Sequence, residues 1–208
     1  MKGGRMPIVD HQIGWKAGRF FLPAKLFNLV FTTDSMQGQS NGNPVEAVQA
    51  GAGELAVVQI GAAGDELSAF VPIPWDLDRD APVLARVWFV HSSTDADAPV
   101  WILKSKFHSK QATVVDMDTS EDIATTFDAH TCSTTAESLE ITDWTDLDWD
   151  SYITASDIAV GLLLECDNLG SADANEIEFV GLELAYQIKA TDQAGRWMSS
   201  TLAARNPV

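Results

Sequence analysis

The sequence predicts an all-β fold: an antiparallel two-sheet sandwich of the jelly-roll type, with extended N- and C-terminal arms. Three observations predict it. Apolar residues recur with a period of two in short runs, turn residues break the runs at irregular intervals, and helical periodicity is nearly absent over 208 residues. About eight strands can be counted, enough for two packed sheets.

In chain order, residues 1–33 read as a basic and aromatic arm, in which Trp15, Phe20, Phe21, Leu22, Leu26, Phe27, Leu29 and Phe31 are interleaved with Lys16, Arg19 and Lys25. Residues 34–54 are rich in Gly, Ser, Asn and Gln without an apolar period and read as a linker, with Pro44–Ala50 a short helical candidate. The body spans residues 55–188. Its expected strands begin with Leu55–Ile60 and Leu67–Ile73, the latter ending among Pro72 and Pro74, which belong at an edge or strand terminus. Val83–His91 and Val100–Phe107 follow, separated by the polar loop SSTDADAP. Shorter strands are expected at Ala112–Val115, Ala124–Phe127 and Ser138–Thr142, and a turn near Trp149–Thr154. Residues 189–208 form a C-terminal tail.

The last two strands show their faces. In Ile158–Cys166 the even positions are all apolar, which predicts one buried face and one mostly open. In Ile177–Ile188 the apolar positions are odd at Ile177 and Phe179 and even from Val180 onward. That change of phase predicts a β-bulge at Val180–Gly181.

Charge divides the chain the same way. Residues 1–33 carry five basic residues against one acidic and residues 189–208 three against one, so the remainder holds −23 of a chain total of −17. Such a body repels a nucleic-acid backbone, and no apolar stretch approaches the ~20 residues of a membrane helix. Neither nucleic acid nor membrane is expected as a partner. Cys132 and Cys166 lie in strand-like segments and are expected to be buried free thiols, consistent with assembly in a reducing cytoplasm.

Candidate chemistry is sparse. Asp76, Asp78 and Asp80 alternate, as do Asp146, Asp148 and Asp150, but Ala81 and Ser151 stand where a calcium-binding EF-hand loop requires glycine. Turn carboxylates are the expected role. His130 and Cys132 alone do not make a zinc site, and Ser92, His91 and Asp128 form a triple without a nucleophile-elbow sequence. No metal, cofactor or catalytic residue is expected, and the chain reads as a non-enzyme. His91 reads as a strand-end residue bonded to its loop. Trp88 and Trp101 belong to the core or a sheet face. Trp75, Trp144 and Trp149, beside carboxylates, would be the sugar-stacking residues of a carbohydrate-binding module, unless they pack loops against the sandwich or fill a subunit interface.

The runs Phe70-Val-Pro-Ile-Pro-Trp-Asp-Leu-Asp, Pro82-Val-Leu-Ala-Arg-Val-Trp-Phe-Val-His-Ser-Ser and Glu178-Phe-Val-Gly-Leu-Glu-Leu-Ala-Tyr resemble β-sandwich structural proteins of tailed bacteriophages. The resemblance covers residues 55–188. It implies a decoration or cement protein on the capsid exterior, a homotrimer bound to the major capsid protein and assembled in the host cytoplasm. On that view the capsid contacts are Trp15, Lys16, Arg19, Phe20, Phe21, Lys25, Phe27, Arg196 and Trp197. The alternative is a carbohydrate-binding receptor module of a head or tail fibre.

Overall fold

The computed structural model describes residues 17–30, 45–48, 56–111, 120–172 and 176–188, and these are almost entirely β. The strands are β1 (Ala17–Pro23), β2 (Asn28–Val30), β3 (Val45–Val48), β4 (Ala56–Ile60), β5 (Asp65–Pro72), β6 (Val83–His91), β7 (Val100–Ser109), β8 (Ile123–Thr126), β9 (Ser138–Ile141), β10 (Thr145–Asp146), β11 (Asp157–Asn168) and β12 (Ile177–Gln187). In the larger sheet β4, β12, β6 and β9 lie side by side, and in the smaller one β5, β11, β7 and β8. That is the order of a jelly roll, built from antiparallel pairs. The remaining strands complete its edges: β10 continues β9 along β6, β3 lies outside β4, and β2 outside β5.

Alternation drives the packing. Val83, Ala85, Val87 and Phe89 of β6 face Trp101, Leu103 and Phe107 of β7 and Leu162, Leu164 and Cys166 of β11 across one buried core. Trp101 lies between Phe89 and Phe179, with ring centroids 5.9 and 6.1 Å away. The bulge expected in the last strand is present: Phe179 stands opposite Phe89 and Gly181 opposite Trp88, leaving Val180 as the extra residue. At that point β4 ends along the other edge of β12 and β1 takes over.

Three expectations are corrected. From Ala17 onward the N-terminal segment is no arm: β1 pairs with β12 over seven positions, and Leu22, Ala24 and Phe27 are buried in the core. Gly18, Phe20 and Leu22 point inward and Arg19 and Phe21 outward, an alternation that the adjacent Phe20 and Phe21 disguise. A 3-10 turn at Ala24–Leu26 then carries the chain to β2 in the other sheet. The span read as a linker contains β3, so Pro44–Ala50 is strand where it is described, as its two valines favour. Finally, the odd face of β11 is not open. Lys104 on β7 reaches Glu66 on β5 at 3.3 Å, crossing β11 and covering Leu163. Ile158 is exposed because the pairing shifts between Asp157 and Ala159. The segment Ala112–Val115 lies outside the described residues.

Candidate functional site

Two surfaces gather groups that the sandwich does not consume. The first is the outer face of the larger sheet. Register places Phe21 of β1, Glu183 of β12 and Arg86 of β6 in one row, with Gly181 and Trp88 in the next. A Cβ at Gly181 would stand 2.3 Å from Phe21 Cζ and 2.7 Å from the Leu22 carbonyl oxygen. Without it, Phe21 lies across β12 and meets Trp88 edge-on at 5.7 Å.

Trp144 reaches this face because β9 and β10 are one edge strand interrupted at residues 142–144. The Thr142 N–H donates to the Val87 carbonyl (3.0 Å), and the Val87 N–H donates to Thr142 Oγ1 (2.9 Å), a side chain standing in for a ladder carbonyl. Pairing resumes at Thr145, and the Trp144 ring lies 4.4 Å from the Arg86 guanidinium carbon, with Trp88 on another side at 5.3 Å. Arg86 Nε donates to Glu183 Oε2 at 2.8 Å, and Trp88 Nε1 donates to the same oxygen at 3.0 Å. Arg19 stands 3.6 Å from the other Glu183 oxygen. The terminal nitrogens of Arg86 have no acceptor among the described residues, and 17% of the side chain is exposed.

The second surface is one end of the sandwich. Trp75 is 82% exposed on a loop fastened by the Leu77 N–H to Pro74 (3.1 Å) and the Asp78 N–H to Gln187 at the end of β12 (2.8 Å). Arg79 joins this loop to the segment entering β11, donating to the carbonyls of Thr154 and Asp157. Tyr152 and Ile158 are exposed in and beside that segment, and Phe70 is exposed near the end of β5. Ala17 pairs with Gln187, and Ile188 bridges to Leu77, so residues 1–16 and 189–208 both join the sandwich here.

The residues singled out in the sequence are dispersed. Trp15, Lys16, Arg196 and Trp197 lie outside the described residues, as does the side chain of Lys25. Phe27 is buried edge-on against Phe179 at 5.1 Å, and Phe20 packs on the core beside Tyr186, so both serve the fold. Trp149 is core as well: its Nε1 donates to Ser105 Oγ at 3.1 Å in the interior, where no sugar can stack. Trp144 is half-buried beneath arginines, and Trp75 alone of the three stands open. Arg86, Trp88 and Glu183 were not singled out as binding residues.

No catalytic grouping forms from the other candidates. His91 Nε2 pairs with Asp97 Oδ2 at 2.7 Å, both fully buried, the strand-end-to-loop bond expected of it. Ser92 donates to the Glu176 carbonyl, and Asp128 is exposed elsewhere. His130 pairs with Glu140 at 2.9 Å. Burial would raise Glu140, but hydrogen bonds from Ser138, His130 and the Ser133 N–H outweigh it and hold the carboxyl below its ordinary value. Cys132 is a buried free thiol pushed up to about 12 by burial and by the charges of Glu140 and Asp97, so it stays protonated, and Cys166 behaves alike. Asp78 and Asp146 accept the N–H of Asp80 and Asp148 in Asx turns. Among the described residues no group of three or more His, Cys, Asp or Glu is placed to hold a metal, and no helix is long and apolar enough to cross a membrane.

Fold and surfaces define the chain as a jelly-roll β-sandwich with exposed aromatic side chains on one sheet face and at one end. No family model matches the sequence, and no curated protein does. Among solved structures it is similar to a family 11 carbohydrate-binding module from Clostridium thermocellum, in complex with a β-1,3-1,4-mixed-linked tetrasaccharide. The identity is 8%, the alignment covers 84% of this chain and 87% of that one, and the TM-score is 0.31.

Proposed function

We propose that this chain is a non-catalytic attachment module, a decoration protein of a phage capsid exterior that docks by one end on the major capsid protein. One observation carries the reading. Of the seven large hydrophobic residues exposed among the described residues, four, Phe70, Trp75, Tyr152 and Ile158, gather at the end where both flanking segments join the sandwich. Those segments add Trp15 and Trp197 and a net charge of +2 each. Fully burying a large apolar side chain contributes about 1.5–3 kcal/mol, so a surface of this kind favours a partner. Lys16 and Arg196 pair with shell carboxylates, and the acidic body stays solvated outside. Phe20 and Phe27 leave the contact set because they pack in and on the core, and Arg19 and Phe21 because they stand on the outer face of the larger sheet. A homotrimer suits three-fold positions of a shell.

The test is co-sedimentation of the full chain with intact capsids. Trp75→Ala with Ile158→Ser is expected to weaken binding at least about tenfold while the unfolding midpoint changes little, since both side chains are exposed. Full occupancy by the double variant would refute end-on docking. A second reading, a carbohydrate-binding module, is favoured by the aromatic and arginine cluster on the larger sheet.

A further inference from the structure

We propose that the outer face of the larger sheet binds an acidic saccharide, with Arg86 taking the sugar carboxylate and Phe21 stacking against the ring; this rests on the carbohydrate-binding reading. The Arg86 guanidinium is held before any ligand arrives. Glu183 fixes its Nε at 2.8 Å, and Trp144 and Trp88 flank it at 4.4 and 5.3 Å. Binding therefore costs little side-chain ordering, and the terminal nitrogens, unused by the described residues, present the planar fork that a carboxylate accepts with two parallel bonds.

Three other cations of the described surface are engaged differently. Lys104 is shared by Glu66 and Glu165, Lys106 is bound to Asp122 at 2.6 Å, and Arg79 serves backbone carbonyls. Phe21, 42% exposed, lies across β12 with its ring 5.7 Å from that of Trp88, whose own ring is 5.3 Å from the Arg86 guanidinium carbon. That arrangement suits a pyranose ring on the phenylalanine and a carboxylate at the arginine. Asp146, opposite Leu84 on the same face, and the chain's charge of −17 oppose a densely charged polyanion such as nucleic acid. A sugar bearing one carboxylate per unit is the anion that fits.

The experiment is calorimetric titration of the full chain with tetragalacturonate and its methyl ester, and with 3′-sialyllactose and lactose. At least one acidic probe is expected to bind about tenfold or more tighter than its neutral counterpart, the scale of one charge-assisted hydrogen-bonded pair. Arg86→Lys should remove that preference, because an ammonium lacks the fork. Phe21→Ala should weaken both members of the bound pair while the chain still unfolds in a single cooperative transition. Equal binding of acidic and neutral probes, or acid preference surviving Arg86→Lys, would overturn the inference while sparing the carbohydrate-binding reading. No binding of any probe up to ~10 mM would overturn both.

Discussion

The two sheets solve the same problem on their outer faces in opposite ways. On the smaller sheet, lysines lie over neighbouring strands and end on carboxylates: Lys104 at 3.3 Å from Glu66 and 3.1 Å from Glu165, Lys106 on Asp122, which also accepts the Phe107 N–H. That network is closed. On the larger sheet, Glu183 is shared by Arg86 and Arg19, and two indole faces rather than a second acid flank the Arg86 guanidinium. That network is open at Arg86, whose terminal nitrogens have no acceptor among the described residues. The contrast teaches that a binding surface on a sandwich is marked less by how many charges it has than by whether the sheet consumes them.

The strongest way to break the contrast is to close the gap under Phe21. Gly181→Val puts a side chain against Phe21 and against the Leu22 carbonyl, which as backbone cannot swing aside. A loss of about 2–3 kcal/mol in urea unfolding is expected, together with altered Trp88 fluorescence as Phe21 is expelled. Unchanged stability would mean that β1 does not depend on this contact.

Next in size is the carboxylate itself. Glu183→Gln weakens the anchor for Arg86 in a half-enclosed setting, with 11% of the Glu183 side chain exposed, and should cost about 1–2 kcal/mol. Glu165→Gln on the smaller sheet leaves Lys104 with Glu66 and should cost less than about 0.5 kcal/mol. Equal losses in the two variants would erase the distinction between an open and a closed network.

Much of the frame could be read from the sequence because its signals are local. β6 runs from Val83 to His91 as expected, its mostly β-branched and aromatic run being bounded by Pro82 and Ser92, and the bulge at Val180 shows as a change of parity within one strand. Where parity is hidden, reading failed: Phe20 and Phe21 are both aromatic although only one faces in, and Trp149 is buried inside an acidic stretch. The open network was illegible for a different reason. Arg86 and Glu183 are separated by 97 residues, and only the register of β6 on β12 brings them together. Their outward positions, Arg86 and Trp88 on one strand and Glu183 within an apolar run on another, were the available hint.

The smallest effect expected within the larger face tests that face against itself. The bulge at Val180 resets the alternation, so Glu178 before it and Glu183 after it both point outward from β12, although five positions apart. Glu183 meets two arginines, whereas Glu178 has Gln59 at 3.4 Å and one buried oxygen, Oε2, without a partner. Burial, aided by the charge of Glu137 and opposed by the Gln59 bond, raises the Glu178 carboxyl above its ordinary 4.5. A carboxyl raised in the folded state binds its proton more tightly there than in the unfolded chain. Its stabilising contribution is therefore complete below the unfolded value and is lost as pH rises through the folded one. Glu178→Gln keeps the shape and removes the charge, so at pH 7 the variant should be more stable by about 1 kcal/mol, the low end of the cost of an unmet buried acceptor. The gain should shrink toward zero near pH 4, where the parent carboxyl is protonated in the fold. Paired urea titrations at the two pH values check it, because every other group titrates alike in both chains. A Gln variant less stable at pH 7 would show that Glu178 is held by a cation as Glu183 is, and the open network would then extend over the whole face.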